Sequence, residues 1–306
     1  MPEAPVLEGQ RARVRAVDAG SLWLDGGAMF GVVPKPLWSR RAAPDERNRI
    51  PLAMRCLLVQ TDESTVLIDT GLGDKEGEKF RGIYRVSNDG DPARLQSSLA
   101  DLDVAPEDVD VVVATHLHFD HAGGGTVRRA DGSLGPAFPS ARYVVNRAEY
   151  EFARRDNERI RASYMADNFE PLASAGVLDL VDDGAEIVPG IRYVPTPGHT
   201  PGHQSVRIDL GDEVLLFLAD LVPTVAHLPL PWIMGYDVEP LVTLESKRET
   251  LTRAADRGWW LAFEHDPVVA WGRAVKPASG AEGCELEAVL EHPLVAGADR
   301  AGRGEN

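Results

Sequence analysis

Apolar residues recur with two different spacings along this 306-residue chain, and each spacing predicts a kind of element. Residues 13–24 and 56–68 alternate or run apolar, which predicts strands. The apolar runs at 110–114 and 214–219 have the length and composition of strands buried on both faces, and 191–194 and 259–264 read as further strand segments. Helical spacing takes over at 92–99, which opens on a proline suited to a first helical turn. It returns in the charged amphipathic stretches 147–156 and 241–255, the second bounded by Pro240 and Gly258. A short helix is predicted near 285–290, followed by a loose tail rich in glycine, including Gly297, Gly302 and Gly304. Strands that alternate with helices predict a layered α/β architecture. No repeat or break in composition divides the chain, so a single domain is expected over 1–306. Its N-terminal strands and a pocket loop lie in 1–49, the motif-bearing core in 50–270 and a tail in 275–306.

Chemistry concentrates where the apolar runs end. The segment His116-Leu117-His118-Phe119-Asp120-His121 follows the buried run Val111-Val112-Val113-Ala114 and precedes Ala122-Gly123-Gly124-Gly125. Imidazole and carboxylate are the donors that zinc and similar cations prefer, and a strand that ends in a glycine-rich turn aims such side chains into a cleft. Alternate residues of an extended segment share a face, so His116 and His118 are placed to hold one ion while Asp120 and His121 turn toward another. His199 lies in the turn Thr196-Pro197-Gly198-His199-Thr200-Pro201-Gly202-His203, Asp220 ends the run from Val214, and His265 follows Phe263-Glu264. Each stands at the end of an expected strand, which suggests one sheet edge where these ends converge. An aspartate there has two oxygens and is able to bridge two cations.

The pattern His116-x-His118-x-Asp120-His121, followed by His199, Asp220 and His265, resembles the metallo-β-lactamase superfamily. Leu67-Ile68-Asp69-Thr70-Gly71 is similar to its first motif, and the Thr196–His203 turn to its third. The resemblance implies a four-layered αββα sandwich with a dinuclear metal site at one edge of the sheets. It implies that His116, His118 and His199 hold one ion, that Asp120, His121 and His265 hold the other, and that Asp220 bridges them. Asp69 would orient the ligand loops from behind. Zinc is the expected metal, with manganese, iron, cobalt or nickel as alternatives. Two such cations about 3.5–4 Å apart bring the pKa of a shared water toward neutrality, so the expected chemistry is metal-dependent hydrolysis by hydroxide. Asp120 would orient that hydroxide and carry a proton.

Composition narrows the partners. A formal charge of −16 leaves no general basic surface for nucleic acid. The first residues lack the basic start and apolar core of a signal peptide, and no apolar run is long enough to span a bilayer, which gives a cytoplasmic, non-membrane expectation. Cys56 and Cys284 are far apart in sequence and outside the ligand motifs, so neither a disulfide framework nor a thiolate ligand is expected.

A small molecule is the expected substrate. Residues 24–31 and 221–236 are too apolar for plain solvent-facing loops, and they predict a pocket wall built from Met29, Phe30, Trp232, Met234 and Tyr236. The alternative reading of both loops is core packing or the interface of a homodimer. They look more similar to the methyl parathion hydrolase and quorum-quenching lactonase branches of the superfamily than to true β-lactamases. One departure is Pro223, at the position where the lactonases carry a tyrosine that polarises the substrate carbonyl; His227 and Tyr236 are the candidates to replace it. His203 reads as a structural partner of the His199 turn, and His292 as part of the tail without a role. The expected reaction is hydrolysis of small apolar esters, lactones or phosphotriesters, helped by the absence of Lys or Arg after Asp220 until Lys247. A glyoxalase II-like thioesterase and a mononuclear iron oxygenase on the same fold are the rivals.

Overall fold

The structure is a computed structural model that describes residues 5–88 and 93–295. Strands β1 (Val6–Glu8), β2 (Ala12–Asp25), β3 (Arg49–Thr61), β4 (Thr65–Ile68) and β5 (Val111–Val113) come first. A small hairpin, β6 (Thr126–Arg128) and β7 (Leu134–Pro136), precedes β8 (Arg142–Asn146) and β9 (Leu178–Val181). Then follow β10 (Glu186–Val188), β11 (Ile191–Pro195), β12 (Gln204–Asp209), β13 (Val214–Phe217), β14 (Trp260–Ala262), β15 (Val269–Val275) and β16 (Glu285–Glu291). Among the described residues these form two seven-stranded sheets, β1-β2-β3-β4-β5-β8-β9 and β10-β11-β12-β13-β14-β15-β16. Strands β4, β5, β8 and β9 run parallel in the first sheet, and β13 with β14 in the second.

Alternation along the strands builds three apolar layers. Val66, Ile68, Val111 and Val113 face Ile208, Leu215, Phe217 and Trp271 between the sheets, while Leu67 and Val112 turn outward to pack with Leu95 and Leu99 of helix Arg94–Ala100. In the second sheet Leu215 and Phe217 point inward, and Leu216 and Leu261 pack outward on Leu251 and Ala254 of helix Pro240–Arg257. Both faces of the central strands are covered, which is why their sequences run apolar without interruption. The result is the αββα sandwich.

Four expectations change. The apolar stretch 56–68 is two antiparallel strands, because Asp62 and Glu63 form a polar turn closed by Thr61 N–H donating to the Ser64 carbonyl. The segment near 285–290 is not helical but the antiparallel edge strand β16, whose pairing satisfies the otherwise open edge of β15. The expected loop at 24–31 is the end of β2 and a short helix, Gly26–Phe30, capped where Asp25 accepts from Ala28 N–H at 2.9 Å. His292, expected to have no role, is buried and its carbonyl accepts from Arg55. The helix predicted from 92 runs Arg94–Ala100, with Pro92 outside the described residues, as are Gly297, Gly302 and Gly304. Among the described residues no helix is long and apolar enough to cross a membrane.

Candidate metal centre

The carboxyl ends of β4, β5, β11, β13 and β14 meet at one edge of the sandwich. After β5 the chain bends at Thr115, is extended at His118 and turns helical at Phe119–Ala122, so Asp120 and His121 leave the path set by His116 and His118. Asp69, held at φ 56°, ends β4 and accepts Thr115 N–H at 2.8 Å and the Thr115 hydroxyl at 2.7 Å, which fixes the root of this segment. The two sheets are joined here by main chain: Ala53 N–H donates to the His265 carbonyl and Arg55 N–H to that of Glu264.

Among the described residues three groups of donor atoms result, of which Asp69 and Glu264 with His121 lie behind the His121 ring and the other two in front of it. Of the two in front, His116, His118, His199 and Asp220 form one and Asp120, His121 and His265 the other, with the donor atoms of each set within 4.8 Å of one another. The carboxylate of Asp220 divides between them. Its Oδ2 lies 3.0 Å from His199 Nε2, and its Oδ1 lies 3.1 Å from His265 Nε2 and 3.6 Å from His121 Nε2. Asp120 lies 3.9 Å from His121 Nε2 and 3.8 Å from His265 Nε2.

The residues fit divalent cations. Besides Asp220, the ring nitrogens that face inward face each other: His116 Nε2 and His199 Nε2 lie 3.1 and 3.0 Å from His118 Nδ1, and His265 Nε2 lies 3.1 Å from His121 Nε2. Lone pairs at that distance repel unless a cation or proton lies between them. The outward nitrogens hold the protons, since His199 Nδ1 donates to Asp237 at 2.8 Å, His265 Nδ1 to the Ala53 carbonyl at 2.7 Å and His121 Nδ1 to Asp69 at 3.0 Å. Such partners fix the tautomer that leaves Nε2 free for a metal. Asp220 Oδ1 is buried without a hydrogen-bond partner, a further sign of a cation-binding position.

Electrostatics describe the same centre. Burial opposes charge on His199 and His265, but Asp220 outweighs it, assisted by Asp237 at the first ring and Glu264 at the second, and raises them to about 10 and about 9. Burial likewise opposes charge on His121, yet Glu264, Asp220 and Asp120 hold it well above the usual imidazole range. His116 and His118 go the other way, because burial and the neighbouring rings push both well down. Glu264 is raised to about 8, chiefly by burial, with His121 opposing and Asp69 adding to the rise. The strongly negative field around the inward nitrogens is one that a cation satisfies.

Several residues of the centre carried no signal in the sequence reading. Asp237, Glu264 and Glu149 all lie at ordinary chain positions, and only the fold brings them in. Glu149 is fully buried and accepts Leu117 N–H at 3.0 Å, the Tyr164 hydroxyl at 2.9 Å and the Thr200 hydroxyl at 2.5 Å, tying the 116–121 segment to the His199 turn. For Glu264 the available hint was an acidic residue at the end of an apolar run.

The pocket residues fare differently. His227 is buried with both nitrogens occupied: Nδ1 lies 2.8 Å from the Thr224 hydroxyl, and Nε2 2.8 Å from the Met29 carbonyl, to which it donates. Its ring stacks on Phe30 at 4.5 Å, so it has no free nitrogen for a substrate. Met29, Phe30 and Met234 are buried in the outer core of the first sheet, so the core-packing alternative describes them; Trp232 packs on that core half-buried. Tyr236 is 37% exposed. Burial raises its phenol, and Tyr84, Asp25 and Asp120 add to the rise. His203 supports the His199 turn, with Nδ1 2.9 Å from the Thr196 hydroxyl and Nε2 accepting from Asp220 N–H at 3.2 Å. The fold also supplies cations that the order of residues conceals. Arg159 donates to the Gly235 carbonyl at 3.1 Å, and Arg41 lies 4.7 Å over the Trp232 ring.

Comparison with known proteins agrees with this geometry. Residues 51–265 match the sequence model of the metallo-beta-lactamase superfamily. An N-acyl homoserine lactonase from Bacillus cereus is 29% identical over 179 residues, which cover 56% of this chain and 64% of the lactonase, less than two-thirds of its length. A probable metal-dependent hydrolase from Staphylococcus aureus superposes with a TM-score of 0.82 at 29% identity, over 93% of this chain and 100% of its own. The dizinc quorum-quenching lactonase AidC shares the fold, with a TM-score of 0.75 at 20% identity over 94% of this chain and 98% of its own.

Proposed function

We propose that this chain, which belongs to the metallo-β-lactamase superfamily, is a dinuclear metal-dependent hydrolase of small neutral lactones and esters, among which N-acyl lactones are the first to test. The observation that carries the reading is the division of the two Asp220 oxygens between two sets of donors. His116, His118 and His199 would hold one divalent ion, Asp120, His121 and His265 the other, and Asp220 would bridge them. When bound, the pair supplies Lewis acidity and a water acidic enough to ionise near neutral pH.

The protein's own groups then have separable tasks. Asp120, Asp220 and His118 are slightly exposed, each at 7%, whereas His116, His121, His199 and His265 are at 0–2%, so a reactant reaches the centre from the side of the carboxylates. Asp120 is placed to hold a proton and pass it to the leaving oxygen. Tyr236, exposed on the later loop, would donate its phenolic hydrogen to the substrate carbonyl in place of the tyrosine that Pro223 displaces. Phe119, next to Asp120 in the chain, is buried and packs edge-on against Phe80 at 5.1 Å.

A neutral substrate follows from the net charge of −16 and from the similarity to lactonases. The test is a steady-state panel of neutral lactones, aryl esters and phosphotriesters against β-lactams, phosphodiesters and glutathione thioesters. Higher kcat/KM on the neutral set is expected, and Tyr236→Phe should lower kcat on lactones about 10-fold or more. Efficient glutathione thioester hydrolysis with negligible turnover of the neutral set would replace this reading with the thioesterase.

A further inference from the structure

Glu264 is a buried carboxylate that the proposed reaction does not use. It follows β14, is 0% exposed, and places Oε2 2.9 Å from His121 Nδ1. That nitrogen carries a single proton, and Asp69 already accepts it at 3.0 Å. Asp69 also accepts from Thr115 twice, whereas neither oxygen of Glu264 has a hydrogen-bond partner. The buried guanidinium of Arg55 does not supply one, because it donates to the carbonyls of Phe263, Asp266 and His292. Two acidic side chains, one from each sheet, thus converge behind one imidazole that needs only one of them.

Burying a carboxyl group with no donor is unfavourable in either protonation state. The arrangement is explained by what lies across the ring. His121 Nε2, on the far side from Nδ1, faces Asp120, Asp220 and His265. We propose that Glu264 is a positioning residue for the second metal: its carboxyl, left without a donor of its own behind His121, destabilises the metal-free fold, and a cation at the Asp120, His121 and His265 set, which makes the His121 Nδ1–H a stronger donor toward it, is retained more strongly. This rests on the dinuclear reading above. Asp69 suffices to orient the ring, so the contribution of Glu264 is its carboxyl, and a glutamine in its place keeps the volume while removing the acid.

The test compares wild type and Glu264→Gln, each stripped by chelation. Zn²⁺ affinity is measured stepwise by competition with a chromophoric chelator, and the melting temperature of the metal-free forms by calorimetry. Glu264→Gln is expected to bind the second Zn²⁺ about 10–100-fold more weakly with the first equivalent unchanged, and to melt a few degrees higher when metal-free. A residue with a merely structural role would lower both affinity and melting temperature together, which overturns the proposal, as does an unchanged second affinity. Should Glu264→Gln not fold, Glu264→Ala carries the affinity measurement with the same two outcomes. A wild type that binds only one ion overturns the dinuclear reading itself. A wild type that binds two while the variant binds them equally well overturns this inference alone.

Discussion

Asp220 bears the largest single share of the expected site. Removing its charge leaves two cations with reduced compensation between them, so Asp220→Asn should release one ion and lower turnover about 10²-fold or more. Elemental analysis of the purified variant together with its kcat checks this, and retention of both ions would show that Asp220 does not bridge. Asp237 should act more locally. It accepts from His199 Nδ1 at 2.8 Å, and Asp237→Asn should weaken Zn²⁺ at the His116, His118 and His199 set about 10–100-fold, read by the same chelator competition. The seven candidate ligands were legible in the sequence because they cluster at the ends of apolar runs, where few roles other than metal binding suit so many donors. Asp237, Glu264 and Glu149 were not, because a residue that touches a ligand through folding alone leaves no spacing to read. His227 shows the converse. A histidine near a ligand motif looks available in the sequence, yet its two ring nitrogens are occupied by Thr224 and Met29.

At the level of elements, the strands that feed the centre were legible because both their faces are covered and their sequences run apolar. The segment 285–290 was not, since Glu-rich sequence favours a helix while the open edge of β15 rewards a strand, and long-range pairing prevailed. The apolar loops were misleading in a similar way: Met29 and Phe30 are apolar because they close the core under Trp38, with Phe30 stacked on that indole at 5.2 Å. Lys247, on helix Pro240–Arg257, holds the later loop by donating to the carbonyls of Pro229 and Trp232 at 2.8 Å each. Glu149 joins the two ligand-bearing segments more directly. Glu149→Ala should leave Leu117 N–H and two hydroxyls without their acceptor and lower the stability of the metal-free protein by about 1–3 kcal/mol. Urea unfolding measures this, and a loss well under that range would mean that the two segments hold together without it.

For the molecule as a whole, buried histidines set the acid limit. Burial pushes both His203 and His227 down to about 3 from an ordinary value of 6.5. Between those values the unfolded chain binds protons that the folded chain does not, so stability rises with pH across this window and is lost as pH falls from 6.5 toward 3. In metal-free protein, His227→Gln should therefore lose melting temperature more gradually than wild type between pH 7 and pH 4, and parallel curves would show that His227 takes up its proton in the folded state. The sandwich brings five strand ends from two sheets to one edge, where the proposed dinuclear centre lies. Elemental analysis of the purified wild-type protein tests that most directly. About two divalent ions per chain are expected, zinc foremost. One iron per chain, with oxygen consumed on turnover, would contradict the dinuclear reading.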